Sequence, residues 1–172
     1  MMTSLVLTVI GPDKPGLVEL LAQTIADHQG NWLESGMSRL AGKFAGILIT
    51  EVPADQAEAL TAALDKLEAQ CGLKVVVERS ADAAQEAGQS FTLELVGHDK
   101  PGIVREISQA LAQRQINVER LSTELVSGSM SAELLFKASA DLSASADADL
   151  DDLQDALEGI ASDLMVDITL NN

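Results

Sequence analysis

The chain has 172 residues, of which 47% are apolar but only 2% aromatic, so any core must be built from Leu, Ile, Val and Ala. That length suits one ordinary domain or two small ones. A formal net charge of −16 opposes direct binding to nucleic acid, where affinity comes from placing Lys and Arg against phosphate, and opposes docking on an anionic membrane surface.

Cys71 is the only cysteine, which excludes an internal disulfide and a thiolate metal cluster. The start, Met1-Met2-Thr3-Ser4, has no basic stretch and runs straight into a strand-like pattern, so no signal peptide is expected. No stretch approaches the roughly 20 apolar residues of a membrane span. These features predict a soluble cytoplasmic protein with no cofactor and no metal.

In chain order, Leu5–Ile10 is a short apolar run bounded by Gly11-Pro12 and predicts a buried strand. Pro15 suits the first position of a helix, where its missing N–H costs nothing. Leu17, Val18, Leu21 and Ile25 then recur at helical spacing, and Gly30 is expected to end that helix in a left-handed cap. Asn31–Leu40 and Lys43–Val52 flank Ala41-Gly42 and predict a hairpin. Asp55 opens a second helix with Leu60, Ala63, Leu64 and Leu67 inward, and Leu73–Glu78 closes the unit as a strand. Ser80–Ser90 is polar and small, and predicts a linker over 81–90.

The pattern then repeats. Val9-Ile10-Gly11-Pro12-Asp13-Lys14-Pro15-Gly16-Leu17-Val18 returns as Leu95-Val96-Gly97-His98-Asp99-Lys100-Pro101-Gly102-Ile103-Val104, and Gln23, Gln29 and Asn31 fall on Gln109, Gln115 and Asn117 without a gap. The second copy is expected to carry strands at Phe91–Val96, Asn117–Val126, Met130–Ala138 and Leu164–Leu170. Its helices are expected at Pro101–Gln115 and Asp149–Ile160, and the low-complexity stretch Ser139–Ala148 as a long mobile loop. Strand–helix–strand–strand–helix–strand is the ferredoxin-like order. The fold class is therefore α+β, two βαββαβ modules at 1–80 and 91–172, each a four-stranded antiparallel sheet with both helices on one face. The first strand is apolar on both faces, since Leu5, Leu7 and Val9 alternate with Val6, Thr8 and Ile10. The face without helices wants a partner, either the other module or a second chain in a homo-oligomer.

The Gly-x-Asp-Lys-Pro-Gly turn is where chemistry is expected. Its glycines permit close backbone approach or left-handed angles. The helix start that follows offers unpaired amides to a carboxylate. Asp13 or Asp99 supplies a negative group for an ammonium, and Asn31 or Asn117 can both donate and accept. The same residue types also make an ordinary tight turn and helix start. His98, His28, Cys71, Lys14 and Lys100 have no repeated partners for catalysis, and Asp147, Asp149, Asp151 and Asp152 lack the Gly-punctuated calcium-loop pattern. No nucleophile–base set, metal-ligand spacing or phosphate loop is present, which points away from an enzyme.

The turn followed by Asn31 in a βαββαβ module resembles the ACT domain, an amino-acid-sensing regulatory module. Two modules filling the chain are similar to the ACT-only family of glycine cleavage system transcriptional repressors. The resemblance implies ligand-binding positions at Gly11, Asp13, Gly16 and Asn31, and at Gly97, Asp99, Gly102 and Asn117. It also implies a non-catalytic regulator that senses an amino acid such as glycine and controls transcription through a DNA-binding partner protein. A ligand-independent interaction module and a regulator of a metabolic enzyme are the alternatives. Many amino-acid-binding members carry Asn where this chain has Asp13 and Asp99, and Pro12 faces His98 across the repeat, so the two loops are not chemically equal.

Overall fold

A computed structural model describes residues 1–80, 88–128 and 133–172. In the first unit β1 (Met2–Pro12) leads to α1 (Leu17–Asp27), then to the hairpin of β2 (Asn31–Leu40) and β3 (Lys43–Pro53). A 3-10 turn at Ala54–Gln56 feeds α2 (Ala57–Asp65) and α3 (Leu67–Cys71), and β4 (Lys74–Arg79) closes the sheet. The second unit repeats this with β5 (Gly88–His98), α4 (Ile103–Gln113), β6 (Asn117–Ser127), β7 (Leu134–Ser145), α5 (Leu150–Leu164) and β8 (Val166–Asn171). The strand orders are β2-β3-β1-β4 and β6-β7-β5-β8, antiparallel at every pairing. Each unit is a ferredoxin-like α+β module, and the chain divides into compact units Met1–Ala83 and Ala84–Asn172.

Period-two alternation sets the layering. Leu5, Leu7 and Val9 are buried on the helix side of β1, as are Phe91, Leu93 and Leu95 on β5. Leu17, Leu21 and Ile25 of α1 and Leu60 and Leu64 of α2 cover the first set, and Ile107 and Leu111 of α4 and Leu153 and Leu157 of α5 cover the second. Among the described residues the one buried polar side chain is Thr50, which donates its hydroxyl to the Asn31 carbonyl at 2.7 Å, so it carries no unmet hydrogen bond.

The duplication extends to irregularities. β2 and β6 each carry a β-bulge after the second residue of the strand, between Trp32 and Glu34 and between Val118 and Arg120. After α1 and α4 the left-handed residues are Gln29 (φ 61) and Gln115 (φ 57). The left-handed cap expected at Gly30 therefore sits one residue earlier. Gly30 is required for space instead, because a Cβ there would lie 2.7 Å from Ile25 Cγ2.

Four other expectations change. Pro15 precedes the helix rather than opening it, since Gly16 is the N-cap of α1 with φ 90, a backbone setting proline cannot occupy. Val18 is 47% exposed, turned out of the core. Of the loop expected over Ser139–Ala148 only residues 146–148 are irregular, because β7 continues to Ser145. Ala140, Leu142 and Ala144 alternate inward there with polar residues outward, a strand pattern written in small residues. The Gln89 amide fastens its end by donating to the carbonyls of Ser145 and Ala146. Of the expected linker, 81–87 lie outside the described residues and 88–90 already belong to β5; the start of the expected strand at Met130 likewise lies outside them. Among the described residues no helix is long and apolar enough to cross a membrane.

Gly97 is closely packed against β8: a Cβ would fall 2.3 Å from Val166 Cγ1 and 3.0 Å from Val166 Cα. Gly97→Ala is expected to destabilise the chain by about 1–3 kcal/mol through overpacking, measured as a lower urea midpoint followed by far-UV circular dichroism.

Candidate functional site

The strand–helix turns have one backbone design. Gly16 (φ 90) and Gly102 (φ 92) are left-handed N-caps, and among the described residues no side chain caps either helix start. The first-turn amides are thereby left without side-chain partners. Each turn is tied to the neighbouring β-hairpin by its aspartate amide: Asp13 N donates to the Gly42 carbonyl at 3.0 Å, and Asp99 N to the Leu134 carbonyl at 3.2 Å.

In the first unit the turn opens onto a solvent-accessible crevice of about 480 Å³ between the start of α1 and the helix-facing side of β2 and β3. Asp13 and Gly16 line it, with Lys14, Met37, Arg39 and Phe44. Arg39 Nη1 lies 3.5 Å from Asp13 Oδ2, with 77% of the arginine side chain and 34% of the aspartate side chain exposed. The crevice wall thus presents a positive and a negative group side by side, next to unpaired amides. Arg39, Met37 and Phe44 were missed in the sequence. Met37 and Arg39 share a face of β2 by their spacing of two, and Phe44 pairs across the hairpin with Arg39; the period-two rule applied to β2 would have found them.

The second unit diverges here. Leu125 pairs with Phe136 as Arg39 pairs with Phe44, so the arginine is replaced by an apolar residue. A separate apolar space of about 50 Å³ lies along α4, walled by groups such as Ile103, Val104, Leu121 and Phe136, and neither Asp99 nor Gly102 is among its walls. That volume holds a water or two at most. His98, at the end of β5, sits 3.0 Å from Glu133 through Nδ1, with both side chains more than half exposed.

The remaining sequence-derived positions separate. Gly11 is buried within β1, and the space beyond its Cα is taken by Gly72 and Leu73, as Val166 takes the space at Gly97; these two glycines serve packing. Asn31 and Asn117 open β2 and β6. A helix returns the chain to the far end of the sheet before β2 begins. Asn31 is eight residues before Arg39 on one strand, about 26 Å away. No single amino acid bound within one unit touches both Asp13 and Asn31, and the same topology separates Asp99 from Asn117.

Other titratable groups have local duties. His28 Nδ1 meets the Thr24 carbonyl at 2.8 Å, and the Cys71 thiol donates to the Leu67 carbonyl. Asp149 caps α5 by accepting from Asp152 N at 3.1 Å, and Asp152 pairs with Arg114 at 2.8 Å. The Ser145 hydroxyl donates to Asp147 and holds its carboxyl below the usual range. Among the described residues no group of His, Cys, Asp and Glu is placed to hold a metal.

Against known proteins, residues 3–78 and again residues 91–133 match the ACT domain. A UPF0237 protein of Methanococcus maripaludis is 31% identical over 80 residues, spanning 45% of this chain and 88% of that protein. The crystal structure of a protein of unknown function from Galdieria sulphuraria superposes with a TM-score of 0.88 at 24% identity, over 99% of this chain and 98% of that one. A candidate glycine cleavage system transcriptional repressor superposes at 0.70 and 20% identity, over 99% and 97%. The two structures share the fold along the whole chain.

The matched left-handed glycines give a paired test. A Cβ at Gly16 or Gly102 meets nothing within 4 Å, so Gly16→Ala and Gly102→Ala should each cost only the left-handed backbone penalty, about 1–2 kcal/mol. Equal losses in chemical denaturation are expected; a clearly larger loss at one position would mean that its turn is held differently.

Proposed function

We propose, from the premise that this chain belongs to the ACT-domain family and carries two such modules in tandem, that it is a non-catalytic sensor whose first unit binds a free amino acid such as glycine. The observation that carries this reading is the Asp13–Arg39 pair beside an uncapped helix start. A zwitterion is complementary to such a pair. Its ammonium takes Asp13, and its carboxylate takes Arg39 and the first-turn amides of α1, so both charges stay paired on binding. The crevice is roomy enough for this, whereas the second unit has Leu125 in place of the arginine. The second module then acts as a scaffold or relay, not as an equal site.

The output runs through protein rather than DNA. A charge of −16 opposes the counterion release that drives association with DNA, and the likeness to a candidate glycine cleavage system transcriptional repressor supports transcriptional control through a DNA-binding partner. The amino acid must bind the free and partner-bound forms with different affinity, typically by a coupling of about 1–3 kcal/mol. Gel-shift assays with promoter DNA should show no specific binding by this protein alone at physiological salt.

Calorimetric titration of the intact chain against the common amino acids, glycine first, tests the site. Asp13→Ala and Arg39→Leu should each weaken binding by roughly 10- to 100-fold, the loss of one charged hydrogen bond, while Asp99→Ala should change it by less than about threefold because no binding group is removed. Binding that survives Asp13→Ala and Arg39→Leu together would exclude this site, and no heat from any amino acid would favour a ligand-independent interaction module.

A further inference from the structure

The open faces of the two sheets share a backbone and differ in chemistry. Across the first unit, in the order β2, β3, β1, β4, the middle row is Gly36, Ile47, Thr8 and Val76. On one side of it lies the row Glu34, Ile49, Val6 and Glu78, and on the other Ser38, Ala45, Ile10 and Lys74. Ile47 is 57% exposed, Ile10 47% and Val76 44%. In the second unit the positions of Ile47, Ile49 and Val6 are held by Ser139, Asp141 and Thr92, with Glu94 and Lys137 beside them, so that Val96 is the one apolar residue in the three matching rows. A polar face is stable in water, whereas contiguous apolar residues on a sheet mark a surface that gains by being covered.

The geometry points to a second copy of this chain as that cover, the two first units packing open face to open face about a two-fold axis that runs along the middle row. Such a contact is isologous, so each row must suit its own image. Rotation about this axis sets Ile47, Thr8 and Val76 on their counterparts and exchanges the flanking rows. Val6 then meets the second copy's Ile10, and Glu78 meets the second copy's Lys74, twice over. The other two-fold arrangement, about an axis along the strands, sets Glu34 on Glu78 in both halves and is disfavoured by like charge. The second unit's open face offers no apolar match to Ile47 and Val76, so the first unit's own face is the complementary surface. One four-stranded face is a small interface, and two molecules of charge −16 repel, so the dimer is weak, reversible and strengthened by moderate salt.

Sedimentation velocity of the intact chain over a wide concentration series reads this directly. A monomer–dimer equilibrium is expected, and Ile47→Asp should weaken it by about tenfold or more by placing a charge at the centre of the contact. Glu78→Lys and Lys74→Glu should each weaken dimerisation, and the double reversal should restore it to within about threefold of the parent. These charge variants leave the apolar face intact, so they decide the matter even if Ile47→Asp disturbs folding, which circular dichroism would reveal. A chain that stays monomeric throughout, a dimer indifferent to Ile47→Asp, or a double reversal as weak as the single ones overturns the proposal.

Discussion

Everything in each module hangs on its central strand. β1 is hydrogen-bonded on both sides, to β3 and β4, while Leu5, Leu7 and Val9 are sealed beneath the helices. A slip of one residue would turn all three outward and bring Val6, Thr8 and Ile10 in. Each fully buried Leu or Val is worth about 1.5–3 kcal/mol, so the register is strongly fixed. With it is fixed the place where β1 stops, and with that the turn at Asp13 and the start of α1. The position of the crevice is therefore a consequence of core packing rather than a separate design.

The architecture was legible because the repeat and the burial periodicity are written in the same residues. Gly16 and Gly102 sit where they do because a left-handed N-cap is needed at both turns, and the Leu and Ile positions of α1 and α4 face the core as their spacing implies. What failed to be legible has physical causes. Proline and glycine are ambiguous punctuation: Pro15 stands one residue outside the helix it was expected to open, and Gly30 is small for the sake of Ile25 while Gln29 takes the left-handed angle. The strand from Ser139 to Ser145 was hidden because alanine and serine write a period-two pattern with little hydrophobic contrast.

The site was half legible. The turn shows in the sequence as a local motif, but its neighbours come from a strand reached only after a helix, and sequence proximity misled there. Asn31 follows the first helix and still ends at the opposite end of the sheet, whereas Arg39, farther along the chain, closes on Asp13. The two modules keep one sheet topology, down to the bulge in β2 and β6, while their outward residues have parted: arginine against leucine at the position of Arg39, isoleucine against serine and aspartate on the open face. Duplication preserved the constraints of the core and released the surfaces.

The placement of Trp32 has a practical consequence. It is the sole tryptophan, packed against the first core just inside the end of β2 that Asn31 occupies. Optically the molecule is labelled in one half only. Its ultraviolet emission registers the melting of the first unit and looks away from Asp13 and Arg39, so an unchanged spectrum on adding an amino acid says nothing about occupancy of the crevice.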